Sequence, residues 1–207
     1  MGRPPLVRAA GRLAARSARR GAVPALLLVL DSRLSDPLAA VAALPAGAAV
    51  LLRHPTAEGL AALGRRVAPL CRRRHLCLLV AADWRLADRL GADGLHLPEA
   101  LARGGGGAPL QGWRRRRRAL LTVAAHAPAA LATARRLGAD AAILSPLFPT
   151  ASHPGRPAIG VSRFRLWARR AGVPVVALGG VGPATARGAE TAGAVGLAAV
   201  HALAAAP

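Results

Sequence analysis

The sequence predicts a single-domain α/β protein, a (β/α)₈ TIM barrel, and three observations carry that expectation. Short apolar runs alternate along the chain with segments of helical period. A glycine that can end a helix precedes several of the runs, at Leu90-Gly91-Ala92-Asp93, Leu137-Gly138-Ala139-Asp140, Ala171-Gly172-Val173-Pro174 and Ala192-Gly193-Ala194-Val195. Eight such runs occur, enough to close a barrel. Strands that are apolar throughout, not alternating, imply a parallel sheet covered by helices. A doubly wound open sheet is the alternative, but the first strand-to-helix turn lacks a glycine-rich dinucleotide fingerprint.

The 207 residues divide into 1–21, a basic leader or an added helix, and 22–207, the barrel. The leader carries Arg3, Arg8, Arg12, Arg16, Arg19 and Arg20 and no acid, without the apolar centre of a secretory signal. Ala25 to Leu30 is the first strand, ending at Asp31-Ser32. Ser35 is placed to cap a helix to Leu44, closed by Pro45-Ala46-Gly47. Ala48 to Leu52 is strand two and ends at Arg53. Thr56 caps a helix whose Leu60, Leu63, Val67, Leu70 and Cys71 share one face. Leu76 to Val80 is strand three, followed by Ala82-Asp83 and a short helix to Gly91; Leu95-His96-Leu97 finishes strand four. A flexible Gly104 to Gly107 tract leads to a basic segment around Trp113, with Arg114 to Arg118 read as the solvated start of a helix. Strand five is Ala119 to Ala124, with His126 just beyond it. The helix Ala129 to Leu137 stops at Gly138, and Ala141 to Leu144 is strand six. Ser162 caps a helix carrying Phe164 and Trp167. Val173 to Leu178 is strand seven, Pro183 suits a first helical turn, and Ala194 to Val200 is strand eight.

Composition narrows the chemistry. The chain has 29 basic and 9 acidic residues, a net charge of +20, and contains no Lys, Asn or Tyr. Lysine Schiff-base chemistry is thereby excluded. The charge admits a nucleic-acid partner through phosphate neutralisation. Spread-out arginines and an aromatic content of 2% argue against one and favour small anions. Cys71 and Cys77 fit no zinc or redox spacing and read as buried thiols. No apolar run is long enough to span a bilayer, so the expectation is a soluble, cytoplasmic protein, with homo-oligomers left open.

In a barrel of this kind the site lies where strands run into helices. That rim would hold Asp31, Arg53, Asp83, His96, Glu99, His126, Thr150, Ser152, His153, Gly179, Gly180 and His201. Arginine and histidine outweigh acids there, which suits a phosphorylated ligand. Gly179-Gly180-Val181-Gly182 lets backbone amides approach an oxyanion. Arg53 can clamp phosphate oxygens in a bidentate manner or sit in a surface ion pair. Thr150 and Ser152 offer hydroxyl donors or cap a turn. His126 and His153 can donate to phosphate or move protons, whereas His96, inside an apolar run, reads as a core residue.

Several motifs in order then resemble the thiamine phosphate synthase/TenI family: Gly91-Ala92-Asp93-Gly94-Leu95-His96-Leu97, Ala125-His126, Ser145-Pro146-Leu147-Phe148-Pro149-Thr150-Ala151-Ser152-His153-Pro154, Val173-Pro174-Val175-Val176-Ala177-Leu178-Gly179-Gly180-Val181 and Gly193-Ala194-Val195-Gly196-Leu197-Ala198. The resemblance covers about residues 24 to 203. It implies a barrel that joins hydroxymethylpyrimidine pyrophosphate to a thiazole phosphate with the help of Mg²⁺, or isomerises the thiazole phosphate. It places Gly179, Gly180, Ala198 and Val200 at the thiazole phosphate, matches Thr150 and Ser152 to a hydroxyl pair, and matches Arg53 to the arginine of a Gln-Leu-Arg-x-Lys motif. The family's Asn-Asp pair falls on Ala81-Ala82, so Asp83, in a register shifted by one, and Glu99 are the acids nearest the expected metal positions. The chain departs from the family at Leu51 and Pro55 (for Gln and Lys), at Leu101 (for a metal-binding Asp), at Ala124 (for Ser), at His153 (for Lys) and at Pro146 (for the tautomerase His). These departures keep open a catalytically degenerate or tautomerase-like relative that binds a phosphorylated ligand.

Overall fold

The structure is a computed structural model that describes residues 4–17, 23–30, 34–105, 107–150, 157–200 and 202–203. Eight parallel strands close a barrel in sequence order: β1 (Leu26–Leu30), β2 (Ala49–Leu52), β3 (Cys77–Ala81), β4 (Gly94–Leu97), β5 (Leu120–Ala125), β6 (Ala141–Leu144), β7 (Val175–Ala177) and β8 (Gly196–Ala199). Closure runs through β1 and β8, with Leu27 opposite Ala198. The expected (β/α)₈ architecture is therefore what forms.

The uniform apolar character of the strands follows from burial on both faces. Leu27, Val29, Leu51, Leu79, Ile143, Val176 and Ala198 fill the barrel interior. Leu26, Leu28, Leu30, Val50, Leu52 and Leu78 pack outward into the helical layer. Two polar side chains, His96 and Thr122, are buried inside and bond to each other, His96 Nδ1 to Thr122 Oγ1 at 2.9 Å. A buried polar pair of this kind is tolerated because each group satisfies the other.

The helices are α1 (Pro5–Ser17), α2 (Pro37–Ala42), α3 (Ala57–Arg73), α4 (Trp84–Leu90), α5 (Glu99–Arg103), α6 (Gly107–Arg117), α7 (Pro128–Arg136), α8 (Val161–Arg170) and α9 (Ala186–Thr191). Within the basic N-terminal segment, α1 buries Leu6, Ala9, Ala10 and Leu13 along one stripe. It packs on α9, β8 and β1, closing the helical layer where the ends of the barrel meet. Arg12 anchors it, donating from Nε and Nη2 to Glu190 at 3.0 and 2.6 Å.

Three local expectations are corrected. Asp36, not Ser35, caps α2, accepting from Ala39 N at 2.9 Å, because Pro37 occupies the first helical turn. Gly160, at φ 75°, precedes α8, so Ser162 lies inside that helix and caps nothing. Arg114 to Arg117 form the last turn of α6, not its start, where cations complement the carbonyl end of the helix. Trp113 fixes that orientation, buried and donating Nε1–H to Asp88 at 2.9 Å.

Candidate functional site

A cleft of about 830 Å³ opens at the C-terminal ends of the strands. Val29, Leu51, Leu60, Ile143 and Leu178 form its apolar floor and wall; Arg53, His54, Asp83, His96, Glu99 and His126 supply its polar groups. Five of the residues expected on the rim, Arg53, Asp83, His96, Glu99 and His126, are thus brought together.

Each is placed by the strand that precedes it. Arg53 follows β2, its backbone N–H donating to Leu30 O at 3.0 Å. After β3 the chain turns at Ala82, which adopts a left-handed φ of 66° and donates its N–H to His96 O at 2.9 Å. That turn presents Asp83, whose Oδ1 accepts from Leu86 N at 2.9 Å and caps α4. His96 reaches the base of the cleft from β4. Burial, reinforced by the nearby charge of Arg53, pushes its imidazole down to about 3, so it is neutral at ordinary pH. It is the core histidine the apolar run implied, although it also lines the cleft.

Glu99 and His126 form a pair across β4 and β5 that the sequence does not announce. The Glu99 carboxylate accepts from His126 Nδ1 at 2.7 Å through Oε2 and from Arg103 Nη2 at 2.7 Å through Oε1. Burial opposes its charge, but the bonds from Arg103 and His126 outweigh burial and hold the carboxyl below the usual carboxylate range. Because a carboxylate only accepts, the His126 proton sits on Nδ1 and the other ring nitrogen remains for a ligand.

The glycine turn lies beside this cleft, since Leu178 lines the cleft and Gly179 follows it. Gly179 and Gly180 have φ of 88° and 63°. They lie hard against the loop after β6: a Cβ on Gly179 would come within 2.7 Å of Pro146, and one on Gly180 within 2.7 Å of Phe148. Leu147 N donates to Leu178 O at 2.8 Å and Phe148 N to Gly179 O at 3.0 Å, tying the two loops together. Thr185 Oγ1 closes the turn by donating to Gly180 O at 2.7 Å and accepting from Gly182 N at 2.8 Å. Among the described residues the amides of Gly179, Gly180 and Val181 donate to no acceptor. Such amides on a positive-φ turn suit an oxyanion.

Ala198 and Val200 belong to the inner barrel cluster at the end of β8, two positions apart and so on the same face. Thr150 is half-buried at the end of the described part of the β6 loop and has a bonding partner. Asp31, Ser152, His153 and His201 lie outside the described residues. His54, which the sequence reading passed over, lines the cleft beside Arg53. Its only signal was Gly59, a glycine in the first turn of α3 whose Cβ would overlap the imidazole ring.

The acids can be tested as a metal site. Mg²⁺ commonly takes one or two protein carboxylates and completes its shell with phosphate oxygens and water. Asp83 fits through Oδ2, which its capping role leaves open. Glu99 is less suited, since both its oxygens already accept, Oε1 from Arg103 and Oε2 from His126. Among the described residues no three His, Cys, Asp or Glu side chains cluster as a ligand set, so those residues alone supply no cage.

These features define a (β/α)₈ barrel with a polar, histidine-rich cleft and a glycine turn on one rim. The thiamine monophosphate synthase family model matches residues 26–203, and the chain belongs to that family. It is 34% identical over 189 residues to a thiamine-phosphate synthase of Thiobacillus denitrificans, covering 88% of this chain and 82% of that one. It is 37% identical over 186 residues to a thiamine-phosphate synthase of Bordetella bronchiseptica, covering 82% of each. Among solved structures, a thiamine phosphate pyrophosphorylase from Pyrococcus furiosus superposes with a TM-score of 0.69 at 22% identity, covering 87% of this chain and 88% of that one, a likeness of fold. Among the described residues no helix is long and apolar enough to cross a membrane.

Proposed function

We propose that the chain is a thiamine phosphate synthase-type transferase that joins hydroxymethylpyrimidine pyrophosphate to a thiazole phosphate and releases pyrophosphate. The observation that carries this reading is the adjacency, at Leu178, of an apolar-floored cleft and a turn whose three amides are unengaged among the described residues. Two phosphorylated heterocycles can lie side by side there. The Gly179 and Gly180 amides hold the thiazole phosphate, with Ala198 and Val200 as the wall at the end of β8. Leu51, Leu60 and Ile143 exclude water from the pyrimidine ring, strengthening every charge interaction around it. Arg53 clamps the pyrophosphate, and its fixed charge stabilises the negative charge that grows on departure. His126, oriented by Glu99, offers its second ring nitrogen to the same anion, and by the family's motif Thr150, Ser152 and His153 are further candidate donors to it. Mg²⁺, held by Asp83 and ligand phosphates, would neutralise part of the pyrophosphate charge. Small phosphorylated ligands and a cytoplasmic setting complete the proposal.

A second reading has its own support. Pro55, Leu101 and Ala124 stand where the family carries Lys, Asp and Ser, and Leu101 is turned to solvent, 49% exposed. A barrel so altered would bind the phosphorylated product without turnover. Incubation of both substrates with Mg²⁺ separates the two: thiamine phosphate above a no-enzyme control supports the transferase. Thermal stabilisation by thiamine phosphate with no product supports the binder.

A further inference from the structure

We infer that His54 is a fixed hydrogen-bond donor for the anionic group in the cleft and serves where the family's lysine is replaced by Pro55; this rests on the transferase reading of the cleft. Three local facts set its ring. Pro55 restricts the backbone of the residue before it to extended conformations, which limits where the His54 side chain can start. The Thr56 backbone N–H donates to His54 Nδ1 at 3.2 Å. A backbone amide can only donate, so Nδ1 is the acceptor and the imidazole proton lies on Nε2. Nε2 has no acceptor among the described residues, and His54 lines the cleft beside Arg53.

The third fact is the seat of the ring. Thr56 Oγ1 caps α3 by accepting from Gly59 N at 3.1 Å, which places Gly59 in the first turn of the helix. A Cβ at Gly59 would overlap the His54 ring. Glycine inside a helix is unfavourable relative to alanine, so its presence here has a packing reason, and the imidazole supplies one. Together Pro55, Thr56 and Gly59 hold one tautomer of one side chain in one place, as preorganised anion recognition requires.

The arrangement makes an unusual coupling testable. Gly59→Ala leaves the fold intact, because His54 can swing out to solvent and alanine suits the helix better; what it removes is the seat. Inorganic pyrophosphate is titrated calorimetrically into the full-length protein and into His54→Ala, Gly59→Ala and the double variant, with thermal melts confirming each fold. The expected result is roughly tenfold weaker binding for His54→Ala, the scale of one hydrogen bond to a charged group. Gly59→Ala should weaken binding similarly, and the double variant no further, because both act through one ring. Unchanged affinity in His54→Ala would overturn the inference, as would a Gly59→Ala effect that persists when His54 is already absent. Wild-type protein that fails to bind pyrophosphate with or without Mg²⁺ would overturn the reading of the cleft itself, and the inference with it.

Discussion

Replacing Asp83 separates its two jobs. Its Oδ1 caps the seven-residue helix α4, while Oδ2 is the oxygen proposed to meet Mg²⁺. Asn caps helices about as well as Asp, and Ala does not, at a cost of about 1 kcal/mol. For a chain of this size that loss lowers the melting temperature by roughly 2–4 °C. Asp83→Ala should therefore melt a few degrees below wild type, and Asp83→Asn close to it. Both lose the anionic oxygen, so both should lose Mg²⁺-stimulated formation of thiamine phosphate. Differential scanning calorimetry reads the first effect, and product formation across a Mg²⁺ series reads the second. If Asp83→Asn keeps the wild-type Mg²⁺ response, the carboxylate does not hold the metal. If Asp83→Ala melts with wild type, the cap is not worth what the geometry implies.

Other expectations follow from burial and packing. The His96 imidazole, pushed down to about 3 in the folded chain from an ordinary 6.5, should show no titration by NMR between pH 5 and 8. A depressed folded value means the unfolded chain binds the extra proton, so this residue's contribution to stability is complete above pH 6.5 and declines as pH falls from there toward 3; a His96→Gln variant with the same acid sensitivity as wild type would contradict this. Leu13→Ala, which empties a buried position between α1 and the barrel, should cost about 2–3 kcal/mol; an unchanged melting temperature would mean that α1 adds nothing to barrel stability. Burial pushes the Cys71 and Cys77 thiols up to about 12, with the Asp93 charge adding to it, so a thiol-disulfide reagent should label them slowly until the protein is denatured.

The barrel was legible because each strand is buried on both faces, and a run such as Leu26 to Leu30 then has no reason to alternate. Glycine at helix ends marked the descent into the sheet, and Gly91 and Gly138 do take the left-handed conformation there. Ends of strands were less legible. Val173 and Leu178 are apolar yet lie outside β7, because Pro174 offers no N–H and Leu178 already belongs to the glycine turn. Helix α5 was missed altogether, hidden behind the glycine tract that follows it. At the site, Arg53, Asp83 and His126 could be found by counting from strand ends. The Glu99–His126 bond could not, since 27 residues and a helical excursion separate the partners and only the parallel pairing of β4 with β5 brings them together. His54 escaped for a different reason: its importance lies in a glycine five residues later, whose role depends on where a ring sits.

The central claim is that two phosphorylated heterocycles meet at Leu178, one on the glycine turn and one in the adjoining cleft. A crystal structure of the protein with thiamine phosphate tests it most directly. The account predicts phosphate within hydrogen-bond reach of the Gly179 and Gly180 amides and the pyrimidine ring against Leu51, Leu60 and Ile143. Thiamine phosphate bound at any other face, with the glycine amides still unengaged, would contradict it.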